Sequence, residues 1–361
     1  MKELRLMKGN EAIAEAAIRA GADGYFGYPI TPQSEILEYL MAEKPYETTG
    51  MVVLQAESEV AAINMVYGGA SCGKKCWTSS SSPGISLKQE GISYMAGSEL
   101  PGIIVNVVRG GPGLGTIQPS QADYFQATKG GGHGDYRLLV LAPASVQEMA
   151  DFIPLGFDLA FKYRNPVMIL TDGVIGQMME KVELPEFTPR WTEEEIVKMS
   201  GDWATTGKTP DRERNIISSL ILDSAKQEKH VKKLELKYKA MEADEVRYET
   251  FQCEDAEYLL VAFGSTARIC QKSVDIARAK GIKVGLLRPI TLYPFPTIPI
   301  HELASQVKGM LVVEMNLGQM VEDVRLAVNG KVQVEHFGRC GGMIPNPDEI
   351  VKNLVSKIIG G

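Results

Sequence analysis

The sequence contains little that would support a disulfide framework, an iron–sulfur cluster or a dense metal site. It has five cysteines and four histidines in 361 residues, and the cysteines never occur as Cys-x-x-Cys. Clusters bound through the usual cysteine spacings are therefore excluded for this chain alone. An odd number of unpatterned cysteines is typical of a reduced, cytoplasmic protein. Cys72 and Cys76 could form half of a metal site, but no second pair follows, which favours a structural role.

Long apolar runs and an excess of positive charge are also absent. No stretch of about 18 apolar residues occurs, so we expect no transmembrane helix. Charges interrupt the first 21 positions every few residues, which leaves no signal-peptide core. The 38 basic and 45 acidic residues give a net charge of −7, which argues against nucleic-acid and anionic-membrane partners. With 44% hydrophobic residues, the composition predicts a soluble, folded protein of the cytoplasm.

Alternating helix and strand patterns predict an α/β fold. Runs such as IIVNVV and LLVLA are apolar almost throughout, which is typical of parallel strands covered by helices on both faces. We also expect a buried strand at MVVLQA (51–56). Asn10 is predicted to cap the first helix, and Pro32 is predicted to open the second. The alternation resumes at Tyr258 and predicts a second parallel-sheet unit.

The chain is predicted to divide into an α/β domain at 1–184, a connector at 185–250 and a second α/β domain at 251–361. Within the connector, a charged helical pattern runs from about Arg212 to Tyr248. Its apolar positions form one stripe, which contains Val231, Leu234, Tyr238 and Met241. The stripe favours a helix packed across its own chain, and a contact with another subunit is the alternative.

Two candidate ligand-binding features follow the apolar strand at 102–108. Neither a P-loop nor the Gly-x-Gly-x-x-Gly fingerprint occurs. The loop GGPGLG (110–115) could bring backbone amides close to an anion, or could be a flexible turn. Arg109 immediately precedes it and could hold a carboxylate with two parallel hydrogen bonds, or form a surface ion pair.

Other candidates also stand between a strand and a helix. Thr31 could cap the helix predicted at Pro32 or face a ligand. Glu59 could complement the dipole in the first turn of its helix, or be a partly buried acid facing a heterocycle. The run 78–82, which ends in serines, could hold a polar ligand or be a solvated loop. His133, among glycines, favours a hydrogen-bonded loop residue.

Several separate segments together resemble the α chain of 2-oxoacid:ferredoxin oxidoreductases, which are thiamine-diphosphate enzymes. The segments occur in the family's order, and they are YPITPQSEI, QAESEVAAINMVYGGA, TSSSSPGISL, VRGGPGLGTIQPSQADYFQATKGGGHGDY and LRPITLYPFP. The fourth segment is most similar to the 2-oxoisovalerate, or branched-chain, type. The resemblance implies a pyrimidine-binding domain first and a transketolase C-terminal-type domain last.

The resemblance also implies that the active site is shared between chains. The half that holds Mg²⁺ and the diphosphate normally carries Gly-Asp-Gly followed some distance later by Asn, and that pattern is absent here. The nearest similar stretch is Thr171-Asp172-Gly173, with no Asn before Asn215. A β chain would therefore supply the metal half, and γ and ferredoxin-like δ chains, the latter carrying the iron–sulfur clusters, would complete the complex.

Residue roles follow from the matching motif positions. Glu59 would hydrogen-bond the pyrimidine ring nitrogen N1′ and promote loss of the proton from the thiazolium carbon. Arg109 would pair with the substrate carboxylate, Thr31 would bond near the reacting carbonyl, and Tyr28, Pro29 and Ile30 would contact the cofactor. The acyl group would pass to coenzyme A and two electrons to ferredoxin.

One cation among glycine, proline and leucine suits an aliphatic 2-oxoacid. A 2-oxoglutarate site would need a second cation, for which Lys129, Arg137 or a β-chain residue are candidates. The 2-oxoglutarate enzyme is therefore the alternative within the family. A non-catalytic scaffold subunit and a transketolase-like transferase are alternatives of other classes.

Overall fold

The computed structural model describes residues 3–208, 210 and 212–360, and these residues form three sheets surrounded by helices. The strands are β1 Leu4–Lys8, β2 Gly24–Gly27, β3 Val52–Gln55, β4 Cys76–Ser80, β5 Gly102–Val108, β6 Leu139–Leu141, β7 Pro166–Asp172, β8 Met179–Glu183, β9 Tyr248–Phe251, β10 Tyr258–Val261, β11 Val284–Pro289, β12 Thr291–Tyr293, β13 Gly309–Glu314 and β14 Gln333–Gly338.

Helices separate most of these strands. They are α1 Gly9–Arg19, α2 Ser34–Glu43, α3 Pro45–Thr48, α4 Glu59–Ser71, α5 Ser82–Gly97, α6 Tyr124–Thr128, α7 Val146–Tyr163, α8 Gly173–Gln177, α9 Glu193–Ser200, α10 Ser224–Asp244, α11 Gly264–Ala279, α12 Thr297–Leu303, α13 Met320–Val328 and α14 Pro347–Leu354, the last continued by a π-helical turn, Val355–Ile359. No helix among the described residues is long and apolar enough to cross a membrane.

The predicted α/β fold is confirmed, with two mainly parallel sheets. The first has seven strands in the order β12-β6-β7-β5-β4-β2-β3, and only β12 runs antiparallel to its neighbour. The second has five strands in the order β14-β13-β10-β11-β9, with β9 antiparallel. Strands β4, β5, β6 and β7 are buried along their whole length, as the continuous apolar runs predict.

The boundaries of the two sheets differ in part from the predicted domain boundaries. Strand β12 lies in the segment 251–361, yet it pairs with β6 of the first sheet. Gln121 also connects the two predicted domains. Its side chain donates to Phe263 O (2.9 Å) and accepts from the Thr266 hydroxyl (2.8 Å). The division at residues 184 and 250 therefore remains a prediction. The contacts between the two predicted domains include a strand pair and buried hydrogen bonds.

Two local predictions are wrong. MVVLQA forms the edge strand β3 and not a buried one, and Val52 and Leu54 are exposed. An apolar run cannot distinguish a central strand from an edge strand that another surface covers. Asn10 does not cap α1, which begins one residue earlier; its amide instead donates to Pro32 O at 2.7 Å.

The connector contains one long helix that packs on its own chain. The helix α10 begins at Ser224, later than the sequence pattern suggested, because the Asp223 side chain caps it by accepting from Lys226 N at 2.8 Å. Leu234, Tyr238 and Met241 are buried in the main hydrophobic core, which confirms that the apolar stripe serves intrachain packing.

Replacing Met241, which is fully buried, by alanine should lower the free energy of unfolding by about 2–5 kcal/mol, because the deletion leaves a cavity. The matched control is Leu236→Ala on the same helix, where the side chain is 67% exposed and the expected change is within about 0.5 kcal/mol. Denaturant titration of both variants measures the difference. Equal effects would show that α10 does not pack as described.

Candidate active site

Four of the loops that carry predicted site residues meet at one edge of the seven-stranded sheet. Strands β2, β3, β4 and β5 are parallel, so their carboxyl ends lie on the same side. Thr31 follows β2, Glu59 follows β3, Ser81 follows β4 and Arg109 follows β5. Ligands bind outside the carboxyl ends of strands in open α/β sheets, which makes this edge the candidate active site.

Glu59 is the first residue of α4 and its side chain is buried. The hydroxyl of Ser58 caps the helix by accepting from Ala61 N at 3.2 Å, which leaves Glu59 directed toward α5. The residue is 7% exposed, and no described residue donates a hydrogen bond to its carboxylate. A buried carboxylate without a partner is costly, so its acceptor capacity is available for a ligand.

The start of α5 is shaped to receive that carboxylate. A Cβ atom built on Gly84 would lie 2.7 Å from Glu59 Oε1 and 2.0 Å from Ser80 Oγ, so only glycine fits. The hydroxyls of Ser80 and Ser81 are buried and make no hydrogen bond with any described residue. This cluster of unpaired polar atoms at a helix N-terminus is consistent with the polar edge of a heterocycle, as the resemblance implies.

Gln33 supports the loop that contains Tyr28, Pro29, Ile30 and Thr31. The fully buried Gln33 side chain donates to Tyr28 O (3.1 Å) and accepts from the Ser79 hydroxyl (2.5 Å). Gln33 carried no signal in the sequence, because its partners on β4 are 46 residues away. The polar bonds fix the backbone of the three residues predicted to contact the cofactor.

The predicted capping role of Thr31 is wrong. The peptide bond between Thr31 and Pro32 is cis, and α2 begins at Ser34, beyond Pro32. Thr31 is exposed and its side chain does not cap the helix. Thr31 lies at the rim of the candidate site, and its contact with substrate stays a prediction.

Arg109 connects the Thr31 loop with the glycine-rich loop. Its guanidinium group donates to Thr31 O (2.9 Å) and to Leu114 O (3.0 Å), while its Nε atom is buried and unpaired with any described residue. The side chain is 8% exposed, so it is not a surface ion pair. The structure thus brings Thr31 and Arg109 together, and Arg109 keeps donors free for an anion.

The other two cations lie elsewhere. Lys129 forms an ion pair with Asp323, and Arg137 lies over the Tyr293 ring at 5.8 Å from its centroid. Both line a separate cavity of about 650 Å³ beside β12 and α12, and Arg109 is not part of its wall. A 2-oxoglutarate site would need a second cation, and neither of these two candidates shares a cavity wall with Arg109.

Thr171-Asp172-Gly173 does not form a metal site. The Asp172 carboxylate caps α8 by accepting from Val174 N (2.8 Å), and it also accepts from the Ser265 hydroxyl (2.6 Å). Burial raises the pKa of Asp172 above its ordinary value. In the residues that the structure describes, no group of three or more His, Cys, Asp or Glu side chains could hold a metal ion.

Gly84→Ala should displace the Glu59 carboxyl and cost about 1–3 kcal/mol of stability, because the new methyl group overlaps Ser80 and Glu59. Gly68→Ala on α4 is the control: no atom lies within 4 Å of its added Cβ, so helix propensity should stabilise it by about 0.5–1 kcal/mol. Denaturant unfolding compares the two variants. Stabilisation by both substitutions would contradict the contact between Gly84 and Glu59.

Comparison with known proteins identifies the family. Residues 15–252 match the family described as "Pyruvate flavodoxin/ferredoxin oxidoreductase, thiamine diP-bdg", and residues 256–350 match "Pyruvate:ferredoxin oxidoreductase core domain II". The ketoisovalerate oxidoreductase subunit VorB of Methanothermobacter marburgensis is 51% identical over 350 residues, which is 97% of each chain. The 2-oxoglutarate synthase subunit KorA of the same organism is 36% identical, covering 98% of this chain and 99% of its own.

Solved structures give the same fold. The 2-oxoglutarate:ferredoxin oxidoreductase from Magnetococcus marinus, solved with 2-oxoglutarate, coenzyme A and succinyl-CoA bound, superimposes with a TM-score of 0.85 at 27% identity. The match covers 98% of this chain and 65% of that chain. A split-gene transketolase has a TM-score of 0.60 at 12% identity and shows likeness of fold alone. The chain belongs to the thiamine-diphosphate-binding pyruvate flavodoxin/ferredoxin oxidoreductase family.

Proposed function

We propose that this chain is the α subunit of a 2-oxoacid:ferredoxin oxidoreductase that acts on 2-oxoisovalerate. The complex would oxidatively decarboxylate the branched-chain 2-oxoacid to acyl-coenzyme A and CO₂, with reduction of ferredoxin. The observation that carries the proposal is the buried, unpaired Glu59 carboxyl at the sheet edge that also holds Arg109. The 51% identity to a ketoisovalerate oxidoreductase subunit, against 36% to a 2-oxoglutarate synthase subunit, supports the substrate class.

Glu59 is the acid that activates the cofactor. Thiamine diphosphate, when bound, supplies the nucleophilic carbon and the electron sink that decarboxylation of a 2-oxoacid requires. With the cofactor bound, the Glu59 carboxyl would share a proton with the pyrimidine ring nitrogen N1′, and Gly84 leaves room beside the carboxyl for this contact. The low exposure of Glu59 would limit competition from water for that proton.

Arg109 holds the substrate carboxylate, and Thr31 contacts the substrate beside it. The two Arg109 bonds to backbone carbonyls fix the plane of the guanidinium group and leave its remaining N–H groups for the carboxylate. Leu114, 82% exposed on the glycine-rich loop, provides an apolar surface for an aliphatic tail. The backbone of Tyr28, Pro29 and Ile30 lies ready to contact the cofactor ring.

Partner chains complete the site. Mg²⁺, the diphosphate and the iron–sulfur clusters are assigned to the β chain and to γ and δ chains, and coenzyme A and ferredoxin are the remaining reactants. The edge strand β3 and the helix α4 support this assignment, because they expose apolar side chains that the β chain would cover: Val52, Leu54, Val60 and Met65. We expect the complex in the cytoplasm.

Glu59→Gln should lower turnover of the assembled complex by about 10²–10⁴-fold, because an amide cannot exchange the proton with the pyrimidine ring. Glu57→Gln is the control, since Glu57 is exposed and precedes the helix; its turnover should stay near wild type. Reduction of a viologen dye with 2-oxoacid and coenzyme A measures both. Near-normal turnover of Glu59→Gln would favour a scaffold subunit, and acyl transfer without dye reduction would favour a transferase.

Substrate profiling tests the 2-oxoacid. The complex should show a kcat/KM for 2-oxoisovalerate about 10- to 100-fold above that for 2-oxoglutarate, because a hydrogen-bonded charge is worth about 1.5–3 kcal/mol and the candidate cations Lys129 and Arg137 line a cavity separate from Arg109. Pyruvate and an aryl pyruvate complete the series. A preference for 2-oxoglutarate would overturn the branched-chain assignment.

A further inference from the structure

Lys88 is a fully buried lysine in the middle of α5, and no established role of the site explains it. Its ammonium group donates to Thr78 Oγ1 at 2.7 Å and forms no ion pair with any residue that the structure describes. Burial of a cation without a counter-ion in contact costs several kcal/mol, so such a side chain is rarely retained for packing alone.

The Lys88 side chain extends toward Glu59. Gly84 and Lys88 lie four residues apart and share one face of α5, and helical side chains point toward the N-terminus of their helix. Gly84 is the residue that the Glu59 carboxyl contacts. On β4, Thr78 and Ser80 are two residues apart, so their side chains lie on the same face of the sheet. These five residues therefore form one buried polar group, which we call the Lys88 cluster.

Glu59 is the charged group that acts on Lys88. The packed elements offer few other titratable side chains, because α4 has no second acid or base and β4 and β5 have no charged residue. The remaining titratable groups have partners of their own or lie apart from Lys88. The Tyr67 phenol bonds Ser98, Glu90 accepts from the Tyr94 hydroxyl, Asp123 accepts from the Asn106 amide, the Tyr136 hydroxyl donates to Gln89, and Asp172 caps α8 and accepts from Ser265, while Cys76 lies at the opposite end of β4.

The electrostatics of the cluster agree with its geometry. Burial lowers the pKa of Lys88 to about 7, and the negative charge of Glu59 opposes that shift. The carboxylate of Glu59 and the ammonium group of Lys88 therefore attract each other within the buried cluster.

We propose that Lys88 is a positioning residue that keeps the Glu59 carboxyl ionised and directed at the pyrimidine ring, so that the shared proton resides on the ring nitrogen. The inference rests on the proposed function of Glu59. With the cofactor bound, one proton would pass from the Glu59 carboxyl to the ring nitrogen, and no proton of Lys88 would be transferred. Thr78 fixes the direction of the ammonium group through its hydrogen bond.

The pH dependence of the assembled complex tests the proposal. Lys88→Met should move the acid limb of kcat/KM upward by about one pH unit or more, because loss of a nearby cation raises the pKa of a carboxyl by about 1–3 units. Lys88→Arg, which restores the cation, should return the limb toward the wild-type position. A Lys88→Met profile that superimposes on the wild type would overturn the proposal.

Lys75→Met is the matched control. Lys75 is also a buried lysine on the β4 side of the sheet, but its ammonium group donates to Ala20 O and lies 4.2 Å from the Trp191 ring centroid. Removing it tests whether loss of any buried lysine alters the profile. Its acid limb should stay at the wild-type pH; a shift equal to that of Lys88→Met would indicate a merely structural effect.

A second measurement does not depend on activity or on the Lys88→Met variant folding. In the full chain labelled with ¹³C at lysine Cε, the resonance that Lys88→Arg removes should titrate near neutral pH. Glu59→Gln should move its midpoint to lower pH, because the anion that stabilises the ammonium group is gone. A Lys88 resonance that titrates near pH 10, or that ignores Glu59→Gln, would contradict the proposal.

The proposed function and the role of Lys88 can be disproved separately. If Glu59→Gln retains normal turnover, the proposed function is wrong whatever Lys88 does. If Glu59→Gln is inactive while Lys88→Met keeps the wild-type pH profile, the function stands and only the role of Lys88 is wrong.

Discussion

A buried carboxyl group at the meeting point of two helices is the constraint on which the rest of the site depends. Removal of an ionised carboxylate from water costs several kcal/mol, and the chain offsets this cost with nearby positive potential. Glu59 stands in the first turn of α4 and faces the first turn of α5, where both helix dipoles favour a negative charge. The buried Lys88 side chain lies close enough for the Glu59 charge to act on it.

The parallel sheet makes this arrangement possible. Because β2, β3, β4 and β5 all run in the same direction, the loops after them open on one side and the following helices begin there. Glycine at position 84 then lets α5 approach Glu59 without an intervening side chain. Gln33 and Arg109 complete the rim by fixing loop backbones, so the site is rigid before any ligand arrives.

The sequence predicted much of this fold but less of the site. The apolar runs correctly located β5 and β6, and the patterns placed Glu59 in a first turn and Arg109 at a strand end. Local patterns could not show that β3 is an edge strand, because an apolar strand fits both the centre of a sheet and an edge that another protein covers. Likewise, Gln33 and Lys88 act through partners that only the folded chain brings near. Pro32 does not begin α2, because the chain makes a further turn before the helix starts at Ser34.

The most direct test is a structure of the assembled complex with thiamine diphosphate bound. The account predicts a Glu59 carboxylate oxygen within about 2.6–3.2 Å of the pyrimidine N1′ atom, with the diphosphate and Mg²⁺ held by a neighbouring chain. A Glu59 side chain turned into solvent, or a diphosphate and metal held entirely by residues of this chain, would contradict it.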